Sequence, residues 1–162
     1  MAKTAVQQKE QRRADRVVTS NRRANFDYFI EETIEAGIVL HGTEIKSLRE
    51  GKASIGEAYA RIRDGELWLL GASISPYEFG SYTNHEPDRP RKLLVHKKQI
   101  RLLRAEIEQK GKTIVPLRIR LKDGKAKVDI GVAKGKKNYD KRQTESDRDA
   151  KREIDRAMRS RS

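Results

Sequence analysis

Apolar residues recur at every second position through most of the middle of the chain, the period of a strand with one buried face. Phe26, Tyr28 and Ile30 alternate with polar neighbours, and Ile34 and Ile38-Val39-Leu40 follow around Gly37. This predicts one long, bent strand, with Gly37 as a bulge or a point of close approach. Tyr59 to Arg63 and Leu67 to Ile74 flank Asp64-Gly65, a strong hairpin signal. Leu117, Ile119 and Leu121 alternate with Arg118, Arg120 and Lys122, Asp123-Gly124 follows, and Ala126, Val128, Ile130 and Val132 alternate again. That is a second hairpin. Helical spacing appears between the two, where Ile100, Leu103 and Ile107 recur between His96 and Gly111. Thr43 suits the N-cap of a short helix carrying Ile45 and Leu48 and ended by Gly51. Ser75 to Pro90 reads as a long polar loop. Six or so strands with one helix before the last hairpin predict an all-β fold with small helices. The expected architecture is a closed antiparallel β-barrel of oligonucleotide-binding (OB-fold) type, with a β-sandwich as its competitor.

The chain has 162 residues, of which 35% are hydrophobic and 38% charged, enough for one domain with a small core. The net charge of +13 is unevenly placed. Residues 1–23 carry seven basic side chains against two acids, and residues 134–162 carry eleven against six. The middle carries nineteen against sixteen and is close to balanced. Beyond Lys134 only Ile154 represents the large aliphatic and aromatic core formers other than Tyr and Met, so that tail cannot offset its chain entropy alone. The expected organisation is a disordered arm at 1–20, a barrel at 21–133 and a basic tail at 134–162 that is disordered when free. Basic arms on a balanced domain point to polyanionic partners, nucleic acid first and an anionic membrane surface second. No stretch is long and apolar enough to span a membrane, and the first residues lack the apolar core of a secretory signal. The absence of cysteine is compatible with a reducing cytosol without establishing one, and the expected location is the cytoplasm.

Enzyme chemistry finds little footing. His41, His85 and His96 are dispersed without metal-ligand spacing, and there is no thiolate to complete a site, so no metal or cofactor is expected. Gly131 to Lys136 resembles a phosphate loop but has three residues between its glycines, and Lys137 stands where Ser or Thr would reach magnesium. A hydrolase would need Glu31, Glu32 and Glu35 to gather around magnesium, an alternative kept against the binding reading. What is present is the run Lys134 to Arg142, five of whose nine residues are Lys or Arg, with Tyr139 inside it. Lysines neutralise phosphates and an aromatic face can stack on a splayed base. Ser146 could cap a tail helix with Asp149 at its third position, and Ala150, Ile154, Ala157 and Met158 make one thin apolar stripe. Such a stripe suits a helix that forms on binding.

Several longer stretches resemble one known family. They are Asn21-Arg22-Arg23-Ala24, Tyr28 to Glu32, Glu35-Ala36-Gly37, Gly42 to Arg49, Arg91 to Leu94, and Ile130 to Lys137 followed by Asp140-Lys141-Arg142. Together they are similar to the SmpB family of tmRNA-binding proteins, from about Asn21 to Arg142. The resemblance implies an OB-fold barrel that binds the tRNA-like domain of tmRNA and delivers it to stalled ribosomes for trans-translation. It implies a non-enzymatic, ribosome-bound role, with elongation factor Tu met through the tmRNA complex. By position, Asn21, Tyr28, Glu35, Leu94 and Lys127 match the tmRNA-binding surface. Gly135, Lys136, Lys137, Tyr139, Asp140, Lys141 and Arg142 match the tail's decoding-site motif, with tyrosine at 139 where members carry histidine. Ala157-Met158 replaces a bulky aliphatic-methionine pair of some members. The resemblance implies a tail that enters the decoding centre and the empty mRNA channel as a helix. The alternative from a neighbouring class is a generic ribosomal-RNA-binding assembly protein.

Overall fold

The computed structural model describes residues 15–80 and 84–160. The elements in chain order are β1 (Asp15–Ser20), α1 (Ala24–Asp27), β2 (Tyr28–Ile38), α2 (Gly42–Arg49), β3 (Ala53–Ser54) and β4 (Tyr59–Arg63). They continue with β5 (Glu66–Leu70), β6 (Ser73–Ile74), β7 (Arg91–Leu94), α3 (Lys97–Lys110), β8 (Thr113–Lys122), β9 (Lys125–Gly135) and α4 (Asn138–Ser160). The fold is mostly β with few helices. One antiparallel sheet runs β1-β8-β4-β5-β7-β2-β9, and β8 pairs with β9 as well. β3 and β6 form a separate two-stranded pair.

Both predicted hairpins form, and their Asp-Gly turns explain why. Asp64 and Gly65 have φ of +53° and +73°, and Asp123 and Gly124 have +50° and +77°. Positive φ at both central residues makes a turn whose twist matches that of its strands, and Asp and Gly bear that conformation at low cost. Strand alternation then sends Leu67, Leu69, Ile119, Val128 and Ile130 inward, each no more than 1% exposed. They join Leu48, Ile55, Ile74, Leu93 and Leu103 in one core, so α2 and α3 pack on it from outside the sheet.

Five expectations need correction. Residues 15–20, placed in a disordered arm, form β1 along β8, with Val18 packed against the core. Residues 1–14 lie outside the described residues. The long strand does not begin at Phe26. Residues 24–27 make a helical turn first. Of the two roles open to Gly37, the structure shows the close approach, where a Cβ would stand 3.2 Å from Leu94 Cβ, while the strand's irregularity falls between Ile30 and Glu32. His41, not Thr43, precedes α2, because Glu44 reaches back to accept the His41 N–H at 2.9 Å. Thr43 is turned to His85, with Oγ1 2.9 Å from Nδ1. Ser146 is interior to a helix that starts at Asn138, and β9 runs two residues past the expected boundary to Gly135.

One buried ion network fixes the long loop. Arg91 and Glu44 are fully buried, and Arg91 Nε donates to Glu44 Oε2 at 2.5 Å. The other Arg91 nitrogens donate to the carbonyls of Ala72, Arg89 and Pro87 at 2.9–3.0 Å. Arg89 donates to Glu44 Oε1 at 2.5 Å. Burial works to raise the Glu44 carboxyl, but the His41 N–H and both arginines outweigh it and hold it below the ordinary carboxylate range. The network ties α2 to the start of β7, the strand that carries Leu94.

Candidate nucleic-acid interface

The matched barrel residues separate into two places. On the outward face of the sheet, Gly37 of β2 pairs with Leu94 of β7 on one side and Lys127 of β9 on the other. Lys127 in turn pairs with Arg120 of β8. The bare glycine thus lies as a shallow saddle between an apolar and a cationic side chain, and Leu94 is 52% exposed. The next row is Glu35, Asp129 and Arg118. Arg120 bonds Glu35 and donates to Asp129 at 2.9 Å, while Arg118 reaches Asp129 at 2.7 Å. Asp129 first, and then Glu35, hold the Arg120 guanidinium still more firmly protonated against its partial desolvation. Glu35 therefore acts through Arg120, setting a fixed charge beside Lys127. The pairing of adjacent strands brings this cluster together from residues 35, 94, 118, 120, 127 and 129.

Asn21 and Tyr28 lie elsewhere. They share a cleft of about 350 Å³ with Arg23, Asp27, Tyr59 and Thr113. Tyr28 opens β2, so it stands roughly 23 Å along the strand from Glu35 at about 3.3 Å per residue. The Asn21 amide donates to the Pro116 carbonyl at 3.2 Å, and its N–H to the Leu117 carbonyl at 2.8 Å. Asn21 is thus a structural link from the end of β1 to the middle of β8 as well as a wall of the cleft. The three strand-borne glutamates do not gather. Glu31 pairs with Lys112, Glu35 pairs with Arg120, and among the described residues no group of three metal-ligating side chains converges.

The tail motif divides by direction. Gly135 ends β9 opposite Tyr28. The Lys136 N–H donates to the Asp27 carbonyl at 2.9 Å, and its ammonium donates to the Asn25 carbonyl at 2.7 Å and Thr144 Oγ1 at 2.9 Å. The same ammonium sits 4.9 Å from the Phe29 ring centroid. Lys141 reaches the Asp27 carboxylate at 3.4 Å. These two cations latch the base of α4 to α1. Lys137, Tyr139 and Arg142 are exposed, Tyr139 at 76%. Asp140 accepts the Lys137 N–H at 3.3 Å and so closes the first turn of the helix. Beyond it α4 buries no residue, and Ile154 and Met158 are 58% and 71% exposed. Asn25, Asp27 and Thr144 were missed by sequence reasoning. The one available signal was an acid at 27 following Arg22-Arg23.

A family described as SmpB protein matches residues 18–160. The chain belongs to the SmpB family. An SsrA-binding protein of Shouchella clausii is 60% identical over 146 residues, covering 90% of this chain and 94% of the relative. One of Acetivibrio thermocellus is 55% identical, covering 88% and 93%. A solved structure described as "tmRNA-SmpB: a journey to the center of the bacterial ribosome" superposes with a TM-score of 0.62 at 55% identity, covering 74% of this chain and 85% of its counterpart. In this SmpB chain the saddle on β7-β2-β9, the Asn21–Tyr28 cleft and the exposed half of the tail motif form three separate candidate contacts.

Proposed function

We propose that this protein binds the tRNA-like domain of tmRNA and delivers it to stalled ribosomes, where incomplete proteins are tagged and released by trans-translation. The observation that carries the reading is the likeness, at 55% identity over most of the chain, to an SmpB structure described with tmRNA and the ribosome. The domain is an OB-type barrel: β8 pairs with both β4 and β9, which supports closure of the main sheet on itself. Leu94, Lys127 and the Glu35–Arg120 pair on one side, and Asn21 and Tyr28 on another, hold the RNA by shape, charge and stacking. The tail enters the decoding centre and the vacant mRNA channel as a helix, reading RNA through Lys137, Tyr139 and Arg142. Elongation factor Tu meets the protein through the tmRNA, and the work takes place in the cytoplasm, without catalysis by this chain.

Competition binding at near-physiological salt tests the barrel's part, because a chain of charge +13 holds almost any RNA in dilute buffer. A labelled tRNA-like domain stays bound against excess bulk tRNA under this reading. Free displacement by tRNA moves the assembly-protein alternative ahead. For the tail, truncation after Lys137 keeps β9 and its pairing with Tyr28, and should leave tmRNA binding intact while abolishing rescue.

A further inference from the structure

The β4–β5 hairpin carries a third aromatic and cationic surface that neither the tmRNA-surface residues nor the tail motif includes. Leu67 and Leu69 are fully buried, so the alternation of β5 turns Trp68 outward. On β4 the same alternation turns Tyr59, Arg61 and Arg63 outward. Arg61 is the direct cross-strand partner of Trp68, and Tyr59 pairs with Leu70, so Tyr59 is the diagonal neighbour of Trp68. Diagonal neighbours in an antiparallel pair stand about 7–8 Å apart, so Arg61 is flanked by Tyr59 two residues away on its own strand and by Trp68 across from it.

Trp68 and both arginines line a cleft of about 450 Å³ floored by Leu70 and Pro90. Arg61 and Tyr59 also border a second cleft of about 320 Å³ against α3. Neither Arg61 nor Arg63 has a hydrogen bond or ion pair among the described residues. Glu66, the acid nearest the indole, is already engaged by Lys92 at 2.9 Å. Lys92 is the partner of Trp68 on the other side, so the indole lies between two cationic neighbours. Asp64, at the turn, also lines this cleft, so its two arginines face one acid that no Lys or Arg engages among the described residues.

We propose that this face binds single-stranded RNA, one base stacking on Trp68 and the next on Tyr59, with Arg61 and Arg63 on the intervening phosphates. Stacking platforms joined to cations are how proteins hold unpaired nucleotides with little sequence preference. Two unpaired guanidiniums favour phosphate over a neutral or acidic ligand. β5 pairs with β7, the strand that carries Leu94, so this face adjoins the Leu94–Lys127 saddle along the sheet, and Tyr59 also borders the Asn21–Tyr28 cleft. An unpaired stretch held here would therefore run on from the RNA on those contacts.

Trp68 is the single tryptophan of the chain and reports on its own site. Oligouridylate is titrated into the full chain at near-physiological salt, following tryptophan emission together with anisotropy of the labelled RNA. The expected result is saturable quenching, displaced by at least about tenfold in RNA concentration in an Arg61→Ala, Arg63→Ala variant, as the loss of charged hydrogen bonds predicts. That variant should keep its circular dichroism spectrum and its affinity for the tRNA-like domain of tmRNA, which separates this face from the proposed function. RNA binding without quenching, quenching indifferent to the two arginines, or no binding would each overturn the proposal.

Discussion

Replacing Glu44 by Gln isolates the cost of an uncompensated buried charge. The side chain keeps its volume, so the packing around α2 is unchanged. It loses its charge, and its amide turns a donor toward either Arg89 or Arg91, both of which are donors. Arg91 is 0% exposed, and its three carbonyl partners supply hydrogen bonds but no counter-charge. Breaking a buried pair from one side costs about 3–5 kcal/mol. A domain of this size holds about 5–15 kcal/mol in total, so the change removes a large share of it. With a urea m-value of about 1–3 kcal/mol/M, the unfolding midpoint should fall by roughly 1–5 M at unchanged m. A loss below about 1 kcal/mol would refute the claim that Glu44 neutralises Arg91. The paired variant Glu44→Leu with Arg91→Met should recover most of the loss, since it removes both charges together. Acid should reproduce the effect. The folded-state value of Glu44 lies below its ordinary 4.5, so its stabilisation is complete above that value and disappears as pH falls through the depressed one. The Glu44→Gln protein should lack this component of acid destabilisation.

The remaining predictions concern the RNA surfaces. Lys127→Ala should weaken tmRNA binding and reduce its salt slope by about one, while Leu94→Ala should weaken binding at unchanged slope; a filter-binding salt series measures both. Asp27→Asn should speed hydrogen exchange at residues 136–144 by up to about fivefold, since a half-exposed ion pair is lost while the Asp27 carbonyl still holds the Lys136 N–H. Lys137→Ala with Arg142→Ala should leave that exchange unchanged and reduce tagging on stalled ribosomes in a reconstituted assay. A free peptide of residues 143–162 should show little helix by circular dichroism, because its apolar stripe packs on nothing; a stable helix would end the reading of a tail that folds on binding.

Much of this protein can be read locally. The Asp-Gly turns, the period-two runs at 117–132 and the capped helix at 97–110 follow from backbone preference and alternation, and they form where predicted. The basic run at 134–142 and the family stretches are equally local, so the tail motif and the SmpB resemblance needed no coordinates. Other features depended on residues far apart in sequence. β1 forms because β8 offers an open edge about a hundred residues later, which the polar composition of the arm could not reveal. Gly37 was legible as either a bulge or a close approach, and register with β9 put the irregularity at residue 31 and left Gly37 as the close approach. Sequence put the α2 cap at Thr43 and did not mark Glu44, whose capping bond and burial beside Arg91, a contact across 47 residues, appear only in the tertiary structure. For the candidate RNA contacts, the family resemblance supplied the residues, and strand pairing decided that Leu94 and Lys127 share the Gly37 saddle while Asn21 and Tyr28 share another cleft. Sequence also treated Lys136 and Lys137 as equals. Tertiary structure separates them, since only one faces Asn25, Asp27 and the Phe29 ring, and a charge held by its own fold is not free for RNA.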